Sequence, residues 1–286
     1  MAGFPGARRV LSTRSLIAIN HGSVLLPTVF NYPFRIFFLS AATFAALAVP
    51  VWALSVTGLG LPIVLPHWHP HELLAGLLHA AVAGFLLTAV CNWTNSAPLR
   101  GPLLLSLWLV WLLPRLGFAA GFSSPWLLLV DLAFLPLVLL AATRPVIAVR
   151  QWRQLPLLAA LGALWLVDVA FHLSDDVRWL HLALAFGGLL VLLMGSRITP
   201  AFSRNWLRGR GGRAETVGEL PWLPPLLYSA FSLYLLLHVL ALSTSLAWLD
   251  PLQALLAAAT AGLITLRLIV WSPWSVRGEP LLWILF

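Results

Sequence analysis

Charge is what this sequence has least of. Only 9% of its 286 residues are Asp, Glu, Lys or Arg, against roughly 25% in an ordinary soluble domain, so there is too little polar surface to coat a core in water. Lysine is missing altogether, and all 17 basic residues are arginines. Cys91 is the single cysteine, which excludes a disulfide scaffold, a cysteine-ligated iron–sulfur cluster and, with no C-x-x-C-H, a covalently attached c-type haem. There is no G-x-S-x-G, no H-E-x-x-H and no pair of carboxylates on one helix face. His71-Glu72 opens a zinc-protease motif, but Ala75 stands where its second histidine is required. The Arg-Gly run from Arg208 to Arg213 lacks the spacing and the lysine of a phosphate-binding loop.

What the chain has instead is apolar length. Hydrophobic residues make up 60% of it and the mean hydropathy is +0.93, which excludes a disordered chain and implies an integral membrane protein. A helix needs about 20 mostly apolar residues to cross the hydrocarbon. Eight stretches qualify, at 34–56, 71–91, 102–120, 126–142, 155–173, 180–196, 224–242 and 249–270. The expected fold is an all-α polytopic bundle over 34–286, preceded by a cytoplasmic segment at 1–33. Leu281 to Phe286 follow Glu279-Pro280 and read as the start of a ninth span, so the expectation is a natural short form or a fragment. The first 30 residues make a poor signal peptide, because Asn20, His21 and Pro27 interrupt any apolar run.

The arginines set the orientation, since positive loops stay in the cytoplasm. Fifteen of the seventeen fall at one end of the spans, leaving Arg115 and Arg178 toward the other. The N-terminus is therefore expected in the cytoplasm. This bias also explains the net charge of +8 through the lipid bilayer as partner, without nucleic acid.

With depth assigned, seven of the eight histidines occupy the outer half. His67, His69 and His71 lie at the outer mouth of the second span, and His79 lies about 12 Å further along it. His172 ends the fifth span, His181 opens the sixth, and His238 sits about one turn inside the seventh. Arg115, Asp131 and Asp168 each lie five residues from the outer end of their spans. Ionisable residues at such depth face a partner, the bundle interior or a water-filled cavity.

Arg115 and Asp131, on adjacent antiparallel spans, are expected to form an ion pair. Asp168 and His172 share a helix face, which suits a carboxylate that fixes an imidazole beneath a metal or proton site. In an extended segment His69 and His71 would point the same way, and Pro70 favours that conformation in the residue before it, so both could reach one copper-like ion. Small residues around His79 (Ala75, Gly76, Ala80, Ala83, Gly84) would admit either a close helix or a flat macrocycle.

Several stretches together resemble the NnrS family of bacterial membrane proteins. They are Pro33-Phe34-Arg35, Trp68-His69-Pro70-His71-Glu72, the run from Ala83 to Val90 followed by Asn92-Trp93-Thr94, the run from Val130 to Pro136, Arg144-Pro145, and Gly195 to Asn205. The resemblance starts near residue 31. It implies a haem- and copper-containing inner-membrane protein of the nitric oxide response to nitrosative stress, often accompanying denitrification. About twelve spans are usual in the family, and Ile36 stands where proline is common.

On that footing b-type haem and copper are the expected cofactors, with nitric oxide as ligand. His69 and His71 are expected to hold copper, with Glu72 beside them, and His79 and His238 to hold haem, with His172 in reserve. A transporter or proton-coupled channel with a His/Asp-lined pathway is the competing reading, and an assembly partner of a respiratory complex is a third. Whether any reaction is catalysed, and by which residues, is left open by the sequence.

Overall fold

The computed structural model describes residues 27–58 and 67–286. Arg8, Arg9, Arg14 and His21, and most of the proposed 1–33 segment, lie outside the described residues. Among the described residues, eight helices are long and apolar enough to span a membrane: α1 Pro33–Val56, α2 Trp68–Thr94, α3 Pro102–Ala119, α4 Pro125–Ala148, α5 Trp152–Ser174, α6 Arg178–Gly209, α7 Leu223–Ser243 and α8 Leu249–Val270. A short helix, α9 (Pro280–Trp283), follows, and there is no strand among the described residues. The protein is a multi-pass, all-α membrane protein.

Local sequence sets many of the ends. Proline stands in the first turn of α1, α3, α4 and α7, where its missing N–H costs nothing. Asn95 and Asp175 adopt left-handed backbone (φ 51° each) and stop α2 and α5. α6 runs well past the expected end at 196, so Arg197, Arg204 and Arg208 are helical. At 32 residues and 1.5 Å per residue it is about 48 Å long, longer than the ~30 Å of hydrocarbon. Its end packs with Val217, Trp271, Val276 and Leu282 into a small second core at the arginine-rich end.

Helix α2 is the centre of the bundle. Two thirds (67%) of its most apolar window is buried, against 17% for α7 and 11% for α8. Lipid tails are as apolar as leucine, so close packing has to hold such helices together. The small residues of α2 permit it: a side chain at Gly76 would meet the Phe44 ring at 2.2 Å, and one at Gly84 would meet Phe37 at 3.0 Å. Those glycines seat the phenylalanines of α1.

One turn of α2 is irregular. Leu73–Leu78 forms a π-helix, which inserts one residue relative to an α-helix. At 100° per residue, eight α-helical positions would leave His71 and His79 about 80° apart. With one of them absorbed by the π-turn, the two share nearly one face. The widened turn is held across the bundle by Trp111 of α3, whose indole N–H lies 3.2 Å from the Ala75 carbonyl and 3.1 Å from that of Gly76.

Candidate metal centre

At the arginine-poor end, α2, α3, α4 and α5 bring six ionisable side chains together. His71 and Glu72 come from the first turn of α2, Arg115 from α3, Asp131 from α4, and Asp168 and His172 from α5. All but half-buried His172 are buried, Glu72 at 0% exposure and Arg115 at 2%.

Their contacts are directional. Arg115 donates to Asp131 Oδ1, and its Nε lies 3.1 Å from Glu72 Oε2. The other Glu72 oxygen, Oε1, lies 3.1 Å from His71 Nδ1. A carboxylate can only accept, so His71 donates from Nδ1, and in the neutral ring Nε2 is then the atom free to accept or to ligate. Nε2 faces His172 Nε2 at 3.1 Å, Asp131 Oδ2 at 3.5 Å and Asp168 Oδ1 at 3.8 Å. His172 Nε2 lies 3.7 Å from Asp168 Oδ1 and 3.8 Å from Asp131 Oδ2. Asp131 Oδ2 is buried without a hydrogen-bond partner.

These positions fit a metal ion. His71 Nε2, His172 Nε2 and Asp168 Oδ1 all lie within 4.8 Å of one another. They form a triangle with sides of 3.1, 3.7 and 3.8 Å whose centre is about 2.1 Å from each atom, the bond length from a first-row transition ion to imidazole nitrogen or carboxylate oxygen. Glu72 behind His71 supplies the carboxylate that such imidazoles ordinarily carry on their other nitrogen. A cavity of about 360 Å³, lined by His67, Trp68, Phe118, Phe171 and both imidazoles, gives access to the cluster.

The other expected ligands are elsewhere. The segment around Pro70 is helical, not extended. Pro70 sits in the first turn, where its missing N–H is tolerated, and residues two apart on a helix point to different sides. His69 accordingly stacks on Trp52 (ring centroids 3.9 Å apart, 14° between planes), while His71 faces the cluster. His79 is buried within electrostatic reach of Asp131, Arg115 and His71. His238 is held from α8 by Gln253 Oε1, 3.0 Å from its Nδ1. No hydrogen bond or ring contact joins His79 to His238 among the described residues.

Sequence reasoning missed Trp68, Phe171 and the support from Trp111. A proline in the first turn of an apolar helix was the one available signal that the helix begins before His71. No curated protein and no solved structure matches the chain. Residues 28–286, which contain the whole cluster and all eight spans, match the family described as NnrS protein. The chain belongs to the NnrS family of membrane proteins of the nitric oxide response.

Proposed function

We propose that the protein binds copper in the bacterial inner membrane and uses it in the defence against nitrosative stress, one ion being held by His71, His172 and Asp168. The charge balance of the buried cluster carries this reading. Glu72, Asp131 and Asp168 bring three negative charges, Arg115 returns one, and ligating imidazoles are neutral. Two uncompensated charges inside a membrane bundle are strongly unfavourable, and one divalent cation removes both. A donor set of imidazole and carboxylate without sulfur suits a divalent ion, and among first-row metals copper binds such sites most strongly. Copper there would supply a redox-active centre able to bind nitric oxide.

The chain's own residues have separate tasks in this reading. Glu72 fixes the His71 tautomer, Arg115 holds Glu72 and Asp131 in place, and Asp131 Oδ2 is available as a further donor. The arginine asymmetry supports a periplasmic position for this end of the bundle. Haem is not assigned to His79. The small residues near it receive Phe44 and Phe37 of α1, and His79 lines none of the cavities described here.

Metal analysis of the purified full chain tests the proposal. Copper is expected at a single ion per chain, lost in His71→Ala and in His172→Ala and retained in His69→Ala. Cells carrying His71→Ala should be as sensitive to nitric oxide as cells without the protein. Metal-free wild-type protein would contradict the proposal and favour the competing reading, in which two protons balance the carboxylates and the His/Asp cluster serves proton-coupled transport.

A further inference from the structure

The arginine-rich end of the bundle holds a cavity of about 430 Å³, between the last turns of α2 and α4 and the loop that leads into α3. Its rim is basic. Arg100 stands in that loop, and Arg144 lies about 6 Å inside the end of α4 at 1.5 Å per residue. Its floor is apolar. Leu87 and Ala141 lie about 10 Å inside the ends of α2 and α4, and Leu103 is 69% exposed on the surface that faces lipid. The loop is pinned, since the Ser96 N–H donates to the Cys91 carbonyl at 3.2 Å and the Gly101 N–H to that of Phe30 at 2.9 Å.

Neither guanidinium has a hydrogen bond or an ion pair among the described residues, and the lining contains no carboxylate. The rest of the chain is poorly placed to supply one. Residues 1–71 contain no acid, and of the nine acids in the chain only Glu215, Glu219 and Glu279 stand at this end. Glu219 faces Arg204 at 3.6 Å, and Glu279 accepts from the Trp206 indole at 3.2 Å, both on α6. Two guanidiniums on one cavity call for an anion with several acceptor oxygens, and the fork of N–H donors on arginine matches a phosphate. A zwitterionic headgroup would bring a cation of its own, and a soluble anion would leave the apolar floor uncovered. Basic pockets between spans at the cytoplasmic side are suited to anionic headgroups.

We propose that this cavity binds an anionic phospholipid, its phosphate accepting from Arg100 and Arg144 and the start of one acyl chain lying against Leu87, Leu103 and Ala141. The order of groups along the cavity, basic at headgroup level and apolar beneath, is the order along such a lipid. Cys91, the one cysteine of the chain, is half-buried in the same lining, so its thiol reports whether the cavity is filled. The site stands at the opposite end of the bundle from the proposed metal centre and does not depend on it.

Native mass spectrometry of the delipidated full chain in neutral detergent tests the site without requiring metal. Phosphatidylglycerol is expected to bind at least tenfold more tightly than phosphatidylethanolamine. That binding should weaken at least tenfold when Arg100→Gln and Arg144→Gln are combined. It should be unchanged when Arg210→Gln and Arg213→Gln are combined, which removes the same charge from exposed positions outside the cavity. In the wild-type chain, phosphatidylglycerol should slow the reaction of Cys91 with N-ethylmaleimide, and inorganic phosphate should not. Equal binding of phosphatidylethanolamine would overturn the proposal by showing an unselective acyl groove, and equal protection of Cys91 by inorganic phosphate would do so by showing a site for a free anion. Equal weakening in the two double variants would also overturn it, because the arginine-rich end would then attract lipid diffusely. The wild-type comparisons hold whether or not a variant folds.

Discussion

Glu72 connects the guanidinium of Arg115 to the imidazole of His71, one carboxylate oxygen toward each. Glu72→Gln preserves the shape and removes the charge, and losing such a support typically costs 10–100-fold in metal affinity. A chelator competition titration should show that loss with the fold intact, and unchanged affinity would remove Glu72 from the centre. For Arg115 and Asp131, removing one partner strands the other at about 3–5 kcal/mol, less here because Glu72 still faces Arg115. Asp131→Asn should therefore lower the unfolding temperature, and adding Arg115→Gln should restore part of it. No recovery in the double variant would argue against structural pairing. Equal depth on adjacent spans was enough to pair these two residues in the sequence, and the four-residue spacing was enough to put Asp168 below His172. That His71 and not His69 joins them was illegible, because H-x-H reads the same whether the segment is extended or helical.

The π-turn at Leu73–Leu78 is the feature of α2 that the sequence conceals most completely. Leu-Leu-Ala-Gly-Leu-Leu has the composition of any apolar helix, and the residue that holds the turn, Trp111, is 35 positions away from Gly76. The eight spans were legible for the opposite reason: apolar length is local, and turn residues bound it. Deleting Leu77 should convert the π-turn to regular helix while keeping His71 above His79. Copper should be retained, and Trp111 should lose its carbonyl acceptors, lowering the unfolding temperature modestly. Deleting Ala75 together with Leu77 removes one residue too many and turns His71 by about 100°, so copper should be lost. Equal copper in both deletion proteins would show that the register of α2 does not position His71.

At the scale of the whole bundle, most arginines of the described residues stand at one end and the His/Asp cluster at the other. Arg100, Arg144, Arg153, Arg208, Arg210 and Arg213 stand at the end opposite the cluster, and the orientation proposed from the positive-inside rule has the cluster toward the periplasm. Reporter fusions should be active in the periplasm at Asp176 and inactive at Gly212, and the reverse pattern would invert the molecule. The division also leaves three carboxylates and a single arginine within the bundle at the end that has few arginines, which is why their compensation is decisive. X-ray absorption at the copper edge of the purified chain reads that compensation from the metal's side. Two imidazole nitrogens with one or two carboxylate oxygens at about 2.0–2.2 Å are predicted, falling to one imidazole in His172→Ala, whereas a sulfur ligand, or a wild-type spectrum unchanged in both His71→Ala and His172→Ala, would contradict a centre built on these residues.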